Sequence, residues 1–478
     1  MTFTFYWHDY ETWGADPRRD RPAQFAGLRT DAELNPVGEP LVVYCRPSDD
    51  LLPQPEACMV TGITPQLASE KGVNEAEFIA RIHRELSTPE TCGVGYNSIR
   101  FDDEFTRYTL YRNFHDPYAR EWQNGCSRWD IIDMVRLTHA LRPEGIEWPL
   151  NADGVVSFRL ELLSAANGIA HESAHDALSD VHATIALAKL IRQRQPRLFD
   201  YVLYGRDKRT LGERLNLQQR NAVLHVSSMY PAERGCIAMV MPLARHPSNP
   251  NGVIVYDLAQ DPEPLLALSV DEIYERLFTS AEDLPDGVQR IPLKTVHLNK
   301  CPVVVPLNTL TPEAAERWSI DREAGERHRQ LLLAAEGLEA KLQAVHRKTE
   351  FEPLTDPDQS LYSGGFFSRD DRQRMDRILQ TDPGALHDFP PVFDDARLPE
   401  MLFRYRARNW PETLDQAERE RWEEYRRSRL FEQEGGGSIT LDDYLETLDR
   451  MDADPALPAQ KRALIPQLLA WAEQIAQV

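Results

Sequence analysis

No stretch of this 478-residue chain approaches the roughly 18 consecutive apolar residues that a membrane-spanning helix needs, which excludes a helical membrane protein. The opening residues, MTFTFYWHDYE, hold neither a basic leader nor a cleavable apolar run, so the expected location is the cytoplasm. Cysteine is scarce. The six present (Cys45, Cys58, Cys92, Cys126, Cys236, Cys301) are scattered without a CxxC pair, which excludes a zinc finger or a disulfide framework and leaves them reduced and structural. Positive charge is in deficit: 54 Lys and Arg face 76 Asp and Glu, a formal net charge of -22, and the long-range field of such a chain repels polyanions. A nucleic-acid partner then needs local basic clusters, or an acidic site whose charge is neutralised by cations.

What is present fits a globular protein, with 42% hydrophobic and 27% charged residues, and 34 prolines that imply many irregular connections. The length predicts about three domains. Alternation in Thr2–His8 predicts a first strand, followed by strands near Gln24–Thr30 and Leu41–Cys45 across a turn-rich DAELNPVGEP. Helical spacing follows in Asn74–Leu86, Glu104–Phe114, Trp129–Leu141, Phe158–Asn167 and Ala177–Arg194, the last striped by Val181, Ile185, Ala188 and Ile191. Strands followed by helices predict an α/β fold, a mixed sheet with flanking helices. Beyond Pro196, short apolar runs broken by Pro, Gly and Asn (VLHVSS, CIAMVMPLA, GVIVYDLA) have the spacing of a small β barrel, and helical patterns return from Pro312 and again from Ser368.

Three acidic motifs carry chemistry. In HDYET, Asp9 and Glu11 stand two residues apart at a strand end, so their side chains leave one face. In GYNSIRFDDEF, a strand from Cys92 to Gly95 turns into a helix starting near Asp102 or Asp103; either acid can cap it, and capping is assigned to Asp103, chemistry to Asp102. In HESAHDALSD, His175 precedes Asp180 by five residues, a separation of about 140° on an ideal helix. His175 is therefore placed in the loop before the helix and Asp180 in an early turn. Singly, such motifs usually mark solvated ends; their order along the chain is restrictive.

With these motifs the chain resembles the DEDD exonuclease superfamily in its histidine-containing subclass, and HDYETWG, DRPAQFAGLRTD, TGITPQ, GYNSIRFDDE, LRPEGIEWP and AHDALSDVHATIA are similar to the bacterial exonuclease I family of single-strand exodeoxyribonucleases. The similarity continues through RQPRLFDY, NKCPV, LYSGGFFS, with one more glycine than the family pattern, and YRARNWPETL. It implies a ribonuclease H-like exonuclease domain over 1–195, an SH3-like β barrel with a C-terminal helix over 196–350, and a helical C-terminal domain over 351–478. It further implies a monomer that hydrolyses single-stranded DNA from the 3′ end in repair and recombination. Asp9, Glu11, Asp102 and Asp180 would bind two Mg²⁺ ions, with Mn²⁺ able to substitute, and His175 would be general base. Two metal ions about 3.5–4 Å apart activate water and offset charge on the leaving oxygen. Hard cations suit an all-carboxylate set, whereas zinc favours histidine or cysteine.

A single strand also needs stacking surfaces and basic contacts. Tyr10, Thr12, Trp13, Phe101, Arg107, Phe158 and Arg159 flank the acids or sit in shared motifs and are the candidates, alongside Glu11. The resemblance implies a second partner, the acidic C-terminal tail of single-stranded DNA-binding protein. Arg142 and Tyr201 match its pocket, while Pro306 and Thr311 stand where the family pattern has a glutamine and a basic residue. Two alternatives remain: an RNA-trimming or proofreading enzyme of the same subclass, and a catalytically silent nucleic-acid-binding scaffold.

Overall fold

The computed structural model describes residues 3–171, 176–348, 354–390 and 392–477. The chain forms two compact units, one comprising Met1–Arg128, His171–Ile185 and Pro353–Val478, the other Trp129–Ala170 and Ala186–Glu352.

The first unit is built on a mixed sheet in the order β3-β2-β1-β4-β5, with β1 at Thr4–Thr12, β2 at Pro22–Thr30, β3 at Leu41–Tyr44, β4 at Thr91–Gly95 and β5 at Ser127–Asp130. The central strand β1 buries Phe5, Tyr6, Trp7 and Tyr10, so apolar side chains fill both of its faces. It pairs antiparallel with β2, Phe5 opposite Thr30 through Glu11 opposite Gln24, and parallel with β4, Thr4 opposite Thr91 through Trp7 opposite Val94. The parallel pairing stops at Trp7 while β1 continues to Thr12. Asp9 and Glu11 therefore project past the end of β4, where open α/β sheets leave a crevice at the carboxyl ends of parallel strands. The chain leaves β4 through Asn97, in the left-handed region at φ 60°, and enters the helix Asp102–Arg112.

The helix Glu75–Leu86 buries Phe78, Ile79, Ile82 and Leu86 on one stripe against Tyr10, Phe25, Val43 and Leu110. Another core joins distant parts of the chain: Trp13, Leu51 and Leu52 pack with Tyr444, Leu468 and Trp471 from the C-terminal helices Leu441–Ala453 and Ile465–Ile475. Each such buried side chain contributes on the order of 1.5–3 kcal/mol. Buried ion pairs reinforce the junction, with Asp50 3.0 Å from Arg408 and 3.4 Å from Arg429. The C-terminal helices, a separate region by sequence texture, thus belong to the same compact unit as the acidic motifs.

The second unit contains an antiparallel sheet in the order β10-β6-β7-β8-β9, with β6 at Val223–Val226, β7 at Ile237–Arg245, β8 at Gly252–Asp257, β9 at Leu293–His297 and β10 at Val303–Pro306. Val223, Ala238, Val240, Val253, Val255 and Val296 fill its core, and the strands β6, β7, β8 and β10 fall on the short apolar runs read from the sequence.

Several boundaries differ from the sequence reading. The first strand runs to Thr12 rather than His8. The helix after β4 starts at Asp102, as its motif predicted, two residues ahead of the helical spacing noted from Glu104; residues 127–130, the last two of which fell in the expected helix Trp129–Leu141, are β5, the helix beginning at Ile132. Four residues, SRWD, are too few for periodicity to separate strand from helix. The stripe of Ala177–Arg194 is buried at all four expected positions.

Candidate active site

Carboxylate oxygens of Asp9, Glu11 and Asp180 all lie within 4.8 Å of one another. Asp9 and Glu11 share a face of β1 by the period of two, and Asp180 comes from the first turn of Ala177–Arg194. Asp102 is fixed alongside them, because the backbone N–H of Tyr10, between the two β1 acids, donates to Asp102 Oδ1 at 3.0 Å. Thr106 Oγ1 lies 3.0 Å from the Tyr10 hydroxyl and 2.8 Å from the Asp102 carbonyl oxygen, tying helix to strand.

The cluster has more negative charge than its surroundings balance. Burial, then repulsion from Asp102, Glu11 and Asp180, holds the Asp9 carboxyl well above the usual carboxylate range. Burial, then Asp180 and Asp102, pushes Glu11 up to about 9. Such a set is completed by protons or by cations, and its oxygen donors suit hard divalent metals. Asp103 behaves in the opposite way. Its oxygens lie 2.6 Å from Arg120 and 3.0 Å from Arg128, and these guanidiniums hold it below the usual range despite burial. The expected capping role is corrected: the helix has no side-chain cap bond, since Asp103 turns inward to the arginine pair.

His175 lies outside the described residues. The histidine seen at the site is His171, whose Nε2 contacts Asp180 Oδ1, and whose buried Nδ1 has no partner among the described residues. Sequence reasoning passed over it, although HESAH carries two histidines four residues apart. Asp176 was also missed, and its charge raises both Asp9 and Glu11.

The stacking candidates divide. Phe101 is half-buried at the start of the Asp102 helix, with its ring 4.9 Å from that of Phe105. Tyr10, Thr12 and Trp13 are buried; Thr12 Oγ1 donates to the Gly14 carbonyl at 2.7 Å, and Trp13, 1% exposed, is a core residue offering no open face. Arg107 is buried and saturated, bonded to Glu121 at 2.7 Å, Glu104 at 2.9 Å and the Tyr362 hydroxyl at 2.9 Å. Tyr10, Trp13 and Arg107 are therefore largely closed to solvent.

Phe158 and Arg159 belong to the second unit. Phe158 is half-buried and edge-on to His139 at 5.5 Å, and Arg159 is exposed and paired with Glu161. In the same unit Arg142 Nη2 donates to the Thr309 carbonyl at 3.3 Å, and the Arg214 guanidinium lies 4.1 Å over the Tyr201 ring. Thr311 caps the helix Pro312–Arg317, accepting from the Ala314 N–H at 3.2 Å.

Carboxylates from one strand and two helices, gathered in the crevice of a ribonuclease H-like sheet, define a metal-dependent exonuclease fold. Residues 6–188 match the family described as Exonuclease, 206–348 the Exonuclease I SH3-like domain, and 355–475 the Exonuclease I C-terminal domain. The chain belongs to the exonuclease I family. It is 50% identical over 473 residues to exodeoxyribonuclease I of Escherichia coli strain K12, covering 99% of this chain and 98% of that one. Among solved structures, a moderately thermophilic exonuclease I from Methylocaldum szegediense superposes with a TM-score of 0.95 at 54% identity, covering 99% of both chains. The zinc-bound complex of the E. coli enzyme with single-stranded DNA also gives 0.95, at 48% identity and 100% coverage of both.

Proposed function

We propose that this protein is a cytoplasmic, monomeric exodeoxyribonuclease that hydrolyses single-stranded DNA from the 3′ end and releases 5′-mononucleotides. The observation that carries the reading is the convergence of Asp9, Glu11 and Asp180 oxygens within 4.8 Å, with Asp102 fixed beside them. The zinc-bound complex of a relative with single-stranded DNA supports both a metal and that substrate. Asp9, Glu11, Asp102 and Asp180 would hold two Mg²⁺ ions, Mn²⁺ substituting. When bound, these cations neutralise the carboxylates and offset charge that builds on the phosphate.

The protein's own groups do the rest. The Tyr10 N–H keeps Asp102 oriented, burial excludes competing water from Glu11, and His175, ordinarily near pKa 6.5, takes the proton from the attacking water. A 5′-labelled oligonucleotide, single-stranded or duplex, incubated with and without Mg²⁺, tests this. Products shortening stepwise from the 3′ end, on the single strand and only with metal, are expected; internal cuts or equal digestion of the duplex would overturn it. Arg142 and Tyr201 are proposed to receive the acidic tail of single-stranded DNA-binding protein. Titration with a tail peptide at physiological salt should show binding that Arg142→Ala abolishes.

A further inference from the structure

Within the first unit, the residues flanking β2 and β3, the start of the helix Glu75–Leu86 and the helix Leu398–Asn409 meet around a small cavity. Its volume is about 10 Å³, the scale of one water molecule or one monatomic ion. Arg21, Arg46, Arg408, Glu75, Ser48 and Cys45 line it. We propose that this cavity is a chloride site, in which the ion, held by Arg21 and Arg408, ties the first strands to the C-terminal helices as a structural counter-ion. The inference stands apart from the nuclease reading and concerns how the catalytic unit is held together.

Unfilled donors are the first argument. Arg21 is 4% exposed, yet among the described residues its hydrogen bonds are two long ones from Nη1, to the carbonyls of Arg19 at 3.4 Å and Asp20 at 3.5 Å. Its Nε stands 3.6 Å from Glu75 Oε1, too far for a hydrogen bond. That carboxylate is engaged elsewhere: its Oε1 accepts from Arg112 Nη2 at 2.9 Å and its Oε2 from Asn113 Nδ2 at 3.0 Å. Arg408 directs Nε to Asp50 and Nη2 to Tyr425 and Asp358, and its Nη1 makes no hydrogen bond among the described residues. A buried guanidinium is costly to leave with unmade bonds, so the cavity it lines is the place of an acceptor.

Charge is the second argument. Arg112 and Arg408 act more strongly on Arg21 than Glu75 does, and Arg429 adds to them. Burial, then these like charges, pushes Arg21 down to about 9. The acids nearby are shared: Asp50 lies between Arg408 and Arg429, and Asp358, 2.8 Å from Arg408, also pairs with Arg404 at 3.2 Å. An anion, rather than a cation or a neutral ligand, relieves such crowding. A guanidinium is weakly hydrated and planar, and a spherical ion accepts from several such groups without a fixed geometry, which suits donors arriving from separate segments. Arg46, exposed to solvent on the lining, adds positive charge where an ion enters.

The test uses the full chain in EDTA, so that cations at the acidic cluster do not contribute, and follows thermal unfolding in sodium chloride and in sodium gluconate at equal ionic strength. Gluconate is too large for the cavity. Chloride should raise Tm a few degrees above gluconate, and the rise should saturate as one site fills. In crystals soaked in bromide, an anomalous peak should stand against the Arg21 guanidinium. Arg21→Gln should remove both the chloride-specific rise and the peak, with Tm in gluconate equal or higher because an unbalanced charge is gone. Arg46→Glu leaves the buried contacts in place, so it serves even where Arg21→Gln does not fold. It should raise the chloride concentration at half effect about tenfold, from one charge reversed beside the site. Equal Tm in the two salts would overturn the inference, as would a rise that does not saturate, a chloride effect kept in full by the variants, or a water in place of bromide against Arg21. Nuclease activity enters none of these measurements, so they bear on the site alone.

Discussion

Asp102 and Asp103 are adjacent, buried and chemically identical, and their surroundings give them opposite duties. Asp102 faces other carboxylates, whereas Asp103 is neutralised by Arg120 and Arg128. Asp102→Asn should lower kcat at least about a hundredfold, the scale of losing a group that organises transition-state charge, while leaving the melting temperature unchanged or higher because a repelling charge is gone. Asp103→Asn should cost about 3–5 kcal/mol in urea unfolding, by leaving buried arginines without their counter-ion. Its depressed carboxyl contributes stability above the unfolded value near 3.8, a contribution lost as the pH falls below it. Sequence alone could place Asp9 and Glu11 side by side, because a two-residue repeat fixes their face. It could not assign Asp103 to an ion pair, since the arginines stand 17 and 25 residues away in a segment without regular patterning. Nor could it show that Trp13 shares a core with Tyr444, Leu468 and Trp471, more than 400 positions on.

At the scale of elements, the site depends on a stagger. β1 outruns β4, so the strand that carries two acids overhangs the turn that delivers a third. The long amphipathic helices and apolar strands that build this frame were legible from periodicity; β5, four residues long, was not. The Asp102 helix is braced at its flank by Arg107, which bonds Glu104, Glu121 and Tyr362 together. Arg107→Ala should therefore act as a folding defect of about 3–5 kcal/mol, seen as a lowered denaturant midpoint. A selective rise in KM with unchanged stability would show instead that Arg107 touches substrate.

At the scale of the whole molecule, 76 acids against 54 basic residues make cations part of the energetics. Glu11 titrates near 9 when folded without metal, against about 4.5 in the unfolded chain, so the cation-free protein loses stability as pH rises through that window. Metal binding displaces the proton and reverses the loss. Saturating Mg²⁺ or Mn²⁺, at about 100 times Kd, should add roughly 2.7 kcal/mol, and the gain in Tm should grow with pH in scanning calorimetry. Glu11→Gln should flatten that pH dependence; a gain unaffected by the substitution would remove Glu11 from the ligand set.

The catalytic unit is assembled from three separated stretches of chain, and this orders events on the ribosome. Asp180 emerges only after the whole β1 to β5 sheet, and the core around Trp13 cannot close until Trp471 has been made. At roughly 5–20 residues per second, that interval lasts on the order of half a minute. A chain stalled before Trp471 carries the acids of β1 and of the Asp102 helix while the core around Trp13 is still open.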